Sequence, residues 1–184
     1  VGGVLEKSSN VGISKIALAM DAEQQWSMYQ KVGLGKITNS GFPGEVSGQL
    51  SLNALNNDFE RASMAFGYGV SVTPLQLAHA YSAIAADGLL RPVNFLYDES
   101  RKNNTVEGQR IMSVETARAV RKMMQRVVSA KGTGKRASVA NYSVAGKTGT
   151  VHKFIAGGYA EDRYLSIFAG MIPADKPELV MVVM

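Results

Sequence analysis

Residues Val144–Lys153 read "VAGKTGTVHK", with a lysine, two threonines and two glycines packed into positions 146–150. Gly146-Lys147-Thr148 has the form of the tail of a phosphate loop. That loop needs a glycine five residues before Gly146, where Asn141 stands. Residues 142–145 are Tyr, Ser, Val and Ala, so no glycine lets backbone N–H groups curl around a phosphate. Gly149 and the polar loop expected beyond it also oppose the helix such a loop must open. The alternative is the edge of a strand. There Lys147 and Gly149 share one face and Thr148 and Thr150 the other. An ammonium and hydroxyls on such an edge can hold a carboxylate, glycine lets a ligand come close to the backbone, and a free N–H can serve an oxyanion. A plain strand and turn fits the same five residues, so their meaning depends on what else the chain supplies.

Outward from this stretch the texture is that of strands. "YSVAGKT", "YLSIFAGMI" and "ELVMVVM" are rich in β-branched and aromatic residues, and "PADKP" joins the last two as an antiparallel hairpin. The preceding two-thirds is helical. "VGISKIALAM" and "AEQQWSMYQKV" have helical spacing, the second closed by Gly33 and Gly35. "GKITNSGFPGEVSGQL" reads as a long surface loop, and "SLNALNNDFERASMAFGYG" as a short helix with a turn at Gly67 and Gly69. In "TPLQLAHAYSAIAADG", Thr73 caps, Pro74 takes the first helical position and Gly88 ends the helix, with Leu77, Ala80, Tyr81 and Ile84 inward. Ser113 caps "SVETARAVRKMMQRVV", which turns Ala117, Val120, Met124 and Val127 inward and most of its cations outward. The fold class is therefore α+β, with helices packed on an antiparallel β-sheet.

Composition narrows the function. The chain has 184 residues, 46% hydrophobic and 19% charged, which suits one globular domain. It contains no cysteine, excluding thiolate metal sites, catalytic thiols and disulfides. No apolar run is long enough to span a membrane. Of the 20 basic residues, ten lie between Arg101 and Arg136, but no aromatic side chains interleave them as a nucleic-acid stacking platform requires. His79 and His152 lack ligand spacing, so no metal and no cofactor are expected, and His152 is placed only at the rim of a site. Met123 and Met124 read as core filling.

The partner of Lys147-Thr148-Gly149 lies far upstream. Ser8-Ser9-Asn10 stands at a helix start, where a cap alone would explain it, yet it sets a hydroxyl and an amide two residues apart. S-x-N followed by K-T-G, with helices between and a terminal hairpin after, resembles the penicillin-recognising serine acyl-enzymes. The blocks "KSSNVGISKIAL", "GLGKITNSGFPGE", "RASMAFGYGVSVTPLQLAHAYSAIAADG" and "AGKTGT" are similar to class B penicillin-binding proteins, above all the division-type D,D-transpeptidases that cross-link septal peptidoglycan. The likeness runs from Val1 to Met184 and is weak only in "YDESRKNNTVEGQR", which reads as a variable loop.

The resemblance implies roles. Ser8 would relay a proton, Asn10 would donate to a side-chain amide of the donor peptide, and Lys147 would tune the relay. Thr148 and Thr150, with Gly149 between, would hold the terminal carboxylate of a D-Ala-D-Ala stem peptide or a β-lactam. The Thr150 N–H would form half of the oxyanion hole. The nucleophile and its base belong to an S-x-x-K motif, and no serine here has a lysine three positions later. The start at "VGGVLEKSSN" and the stop inside "ELVMVVM" fit the expectation that residues 1–184 are the C-terminal portion of one transpeptidase domain, truncated at both ends and inactive alone. The family further implies the extracytoplasmic (periplasmic) face of the bacterial cytoplasmic membrane, an N-terminal anchor outside this chain, division-complex membrane proteins as partners and no nucleic acid. Two rivals stand beside this reading. A serine β-lactamase of class A needs a glutamate in E-x-x-L-N, where "LNALN" offers Leu52. A non-catalytic sensor or scaffold would have lost its nucleophile.

Overall fold

The computed structural model describes residues 1–96, 106–155 and 158–184. Six helices and seven strands follow one another in these residues: α1 (Gly2–Lys7), α2 (Asn10–Ala19), α3 (Ala22–Lys31), β1 (Gln49–Leu50), α4 (Asp58–Met64), β2 (Val70–Ser71), α5 (Pro74–Ala85), β3 (Leu89–Leu90), β4 (Gln109–Arg110), α6 (Val114–Val128), β5 (Ala145–Ile155), β6 (Gly158–Ile172) and β7 (Leu179–Val183). Helices and an antiparallel sheet pack together, the α+β class expected from the sequence.

The sheet has the order β5-β6-β7, both pairs antiparallel, which leaves β5 at an edge. β5 and β6 are longer than the sequence suggests. The segment after Gly149, expected as a polar loop, continues as strand to Ile155: Thr150, Val151 and His152 pair with the expected strand, and Phe154 and Ile155 pair with Tyr159 and Gly158, which the sequence leaves outside any strand. Its stability is non-local. Thr150 faces Ser166, Val151 faces Leu165, and the His152 ring packs on Tyr164 at 4.5 Å between centroids. A bulge between His152 and Phe154 then shifts the register.

α5 and α6 lie against the sheet. The core is built from Met124, Ala145, Met171 and Ala174, with Tyr81, Ile84, Val120 and Val180 packed around it. Both helices start as their sequences require. Thr73 and Gln76 form a reciprocal capping box with Pro74 in the first turn, and the Ser113 hydroxyl accepts from Thr116 N–H. The cations of α6 are not all outward: Arg121 is 6% exposed. It donates to the carbonyls of Ile84 and Ala85 at the end of α5 and pairs with Asp87 at 2.7 Å, where a cation also complements the helix dipole.

The loop between α3 and β1 is ordered by two buried or half-buried side chains. The Gln76 carboxamide donates to Lys36 O and Ser47 O, both at 2.7 Å, while its oxygen accepts from Thr73 N–H. The Glu45 carboxylate takes the N–H and hydroxyl of both Thr38 and Ser40, and these bonds hold its pKa down at about 2. Gly48 is required there. Its φ is +65°, and a Cβ would stand 2.1 Å from Ser71 O. Most of the weak-likeness stretch 97–110 lies outside the described residues; Gln109 and Arg110 at its end pair with Leu90 and Leu89.

Candidate active site

Ser9, not Ser8, caps α2: its hydroxyl accepts from Gly12 N–H at 3.1 Å. That frees Ser8, which closes α1 in a left-handed conformation (φ 51°, ψ 48°) and leaves its side chain exposed. Asn10 opens α2, also exposed. Lys147, Thr148, Gly149 and Thr150 lie in sequence on the edge strand β5. All six expected residues line one cleft of about 540 Å³, between the helical part and the sheet edge. Ala65, Phe66 and Tyr68 after α4 form another wall, and His152 and Tyr164 the strand side, so His152 does reach the site.

The two motifs touch. Lys147 Nζ donates to Ser8 Oγ at 2.7 Å across 139 residues of chain, and to the Thr148 carbonyl at 2.7 Å. Burial pushes the Lys147 pKa below its ordinary value, since the half-buried ammonium has lost water. With the lysine donating, Ser8 Oγ acts as acceptor on that side and its own O–H is free to serve a third group in the cleft. Thr148 Oγ1 lies 2.8 Å from Thr133 Oγ1, on the loop after α6. If Thr133 donates in this pair, the Thr148 proton is left to point at an anion. Lys147, Thr148 and Gly149 also border a second, more apolar cavity of about 570 Å³, walled by α5 and β6 residues such as Leu77, Tyr81 and Ile167. Leu52, at the β-lactamase glutamate position, sits in a 3-10 turn and does not line the cleft. Among the described residues no cluster of His, Asp or Glu is placed to hold a metal.

Sequence reasoning did not single out Thr133, nor Phe66 and Tyr68. The one local sign for Thr133 is its place between Gly132 and Gly134, where the backbone folds tightly against α6: a Cβ at 132 would stand 2.0 Å from Val127 O. Phe66 and Tyr68 stack edge to face at 5.6 Å in a segment whose turn glycines were legible but whose direction was not.

Known proteins share this sequence and fold. The model of the penicillin binding protein transpeptidase domain matches residues 1–184. The probable peptidoglycan D,D-transpeptidase PenA of Neisseria meningitidis serogroup A is 40% identical over 183 residues, covering 100% of this chain and 31% of that protein. Peptidoglycan D,D-transpeptidase FtsI of Escherichia coli K12 is 41% identical over 181 residues, covering 98% and 30%. The chain thus spans about a third of the length of these relatives. The solved transpeptidase domain of Burkholderia pseudomallei penicillin-binding protein 3 superposes with a TM-score of 0.91 at 43% identity, over 98% of this chain and 54% of that one. Penicillin-binding protein 3 of Mycobacterium tuberculosis, solved with aztreonam, reaches 0.90 at 34% identity over 99% and 44%. With one family matched along its whole length and the motif walls facing one another in one cleft, the chain belongs to the penicillin-binding protein transpeptidase family.

Proposed function

We propose that this chain forms the Ser8-x-Asn10 and Lys147-Thr148-Gly149-Thr150 walls of a peptidoglycan D,D-transpeptidase. The enzyme cross-links stem peptides in septal wall synthesis through a serine acyl-enzyme, and β-lactams inhibit it. The observation that supports the reading is the 2.7 Å bond from Lys147 Nζ to Ser8 Oγ, which joins the two motifs. The attacking serine and its base come from an S-x-x-K motif outside these 184 residues. The second cavity, apolar and bordered by Lys147, suits the helix that would bring them. Residues 1–184 are then the C-terminal portion of a single transpeptidase domain, inactive by itself.

In the mechanism, Thr148 and Thr150 donate hydroxyl protons to the terminal carboxylate of D-Ala-D-Ala, or to the carboxylate of a β-lactam. Asn10 donates to the peptide amide. When the nucleophile attacks, the Thr150 N–H stabilises the oxyanion, while Ser8, held by Lys147, passes a proton towards the leaving amine. The half-buried Lys147 keeps this relay in a positive field. By the same reading the enzyme works at the extracytoplasmic (periplasmic) face of the bacterial cytoplasmic membrane, with an anchor and division-complex contacts in other segments. No described helix is long and apolar enough to cross a membrane.

Intact-mass measurement after incubation with a penicillin tests the proposal. The gene product that includes the S-x-x-K segment forms one lasting adduct, and the 184-residue chain alone forms none. An adduct on Ser8 of the isolated chain would overturn the division of roles. Sustained nitrocefin turnover would point to the β-lactamase reading, which the position of Leu52 away from the cleft disfavours.

A further inference from the structure

Behind the cleft a ring of contacts links its two walls. Glu6, in the last turn of α1, is 8% exposed although it is an acid. Its carboxylate accepts from Arg126 Nε at 2.9 Å and Nη2 at 2.5 Å, at the end of α6, and the guanidinium beside it lowers its pKa. The backbone oxygen of Glu6 accepts from Thr133 N–H at 3.3 Å, and Lys7 Nζ donates to Lys131 O at 2.8 Å. Two residues after Glu6 the chain enters the left-handed turn of Ser8, a conformation that a non-glycine residue keeps only when its surroundings hold it. From Ser8 the ring passes to Lys147 and Thr148, and from Thr148 back through the hydroxyl of Thr133.

α1 packs against α6, and its first turn carries Gly2 and Gly3 rather than strong helix formers. Its seat is set by what it docks on. Two N–H groups of Arg126 converge on one Glu6 oxygen, Oε2, and hold it from two directions, which a single point charge does not. Neither Glu6 nor Arg126 lines the cleft, so neither meets a substrate there.

We infer that Glu6 and Arg126 are positioning residues: their ion pair seats α1 on α6 and thereby sets Ser8 against Lys147 and Thr133 against Thr148. The inference rests on the transpeptidase reading. It predicts that loosening the pair slows acylation.

The test uses the full-length gene product and a fluorescent penicillin, followed by stopped-flow acylation. The unmodified protein acylates; if it does not, the transpeptidase reading itself fails, and the variants are not needed to see that. In Arg126→Lys, which keeps the charge and loses the hold from two directions, acylation slows about ten- to a hundredfold, the range expected when reacting groups are misplaced by about an ångström. Glu6→Gln, closest in shape and least disruptive to folding, slows it less. Arg118→Ala removes a surface pair with Asp87 two turns earlier on α6 and acylates at the parent rate. In both positioning variants the alkaline limb of the acylation profile also moves to higher pH, because water reaches Lys147 once Ser8 is displaced. The inference is overturned if Arg126→Lys and Glu6→Gln acylate within twofold of the parent. It is equally overturned if their slowing disappears when rates are corrected for the unfolded fraction, or if the alkaline limb does not move.

Discussion

Gly146 precedes the site lysine by one residue, and the geometry around it allows a quantitative prediction. It pairs with Gly170 across the β5–β6 ladder, and the ring of Phe168 lies over both glycines. A Cβ built on Gly146 would stand 2.3 Å from Phe168 Cζ, 2.8 Å from Cε2 and 2.9 Å from the Ala169 carbonyl oxygen. Ordinary contact begins near 3.4 Å, so the ring must retreat by more than an ångström. The carbonyl belongs to the ladder and yields less. Gly146→Ala should then cost about 2 kcal/mol, within the usual range for overpacking. At roughly 2–4 °C per kcal/mol for a domain of this size, the thermal midpoint falls by about 4–8 °C. Phe168→Leu removes the ring edge and relieves most of the clash, so the two substitutions are coupled, with a double-mutant interaction of at least about 1 kcal/mol. Calorimetry of the four proteins of the cycle checks both figures. A Gly146→Ala midpoint within a degree of the parent, or costs that simply add, would refute the account of Phe168 as the reason for glycine at 146.

Two further predictions concern pH. Burial holds the Lys147 pKa below 10.5, so at neutral pH the folded protein carries a desolvated ammonium. As pH rises through the lowered folded value towards 10.5, the folded lysine sheds its proton before the unfolded one and the penalty fades, so its contribution to stability increases with pH. The urea midpoint of the parent relative to Lys147→Met should rise over that interval, and a fall would contradict it. Glu45 behaves oppositely: its pKa is about 2 when folded and 4.5 ordinarily, so the stability it lends is complete above 4.5 and lost as pH falls towards 2. Glu45→Gln should flatten the acid limb in that window, with an unchanged limb as the contrary result.

How far the sequence revealed this molecule depends on the range of the forces involved. Thr73-Pro74 and Ser113 mark helix starts because caps act within one turn, and both were legible. Ser8, Asn10 and Lys147–Thr150 were legible as a group too, and the structure brings all six to one cleft. The outer halves of β5 and β6 were not. "VHKFI" has no pattern that demands a strand, and its strand character comes from Leu165 and Tyr164 on the other side of the hairpin. α1 escaped notice for the same reason: Gly2 and Gly3 argue against a helix, and Arg126, 120 residues away, supplies what local propensity lacks. Arg121 belongs to a helix whose cations were expected mostly outward, and nothing in the sequence singled out Gln76, yet each is buried because a specific distant carbonyl or carboxylate receives it.

The separation between α1 and α6 also has a meaning in time. At about 5–20 residues per second of synthesis, Glu6 waits on the order of ten seconds for Arg126 to be made, and Ser8 waits longer still for Lys147. During that interval α1 lacks the α6 residues that seat it. The cleft cannot then be half-built on a nascent chain: both walls arrive together, once the last hairpin has closed.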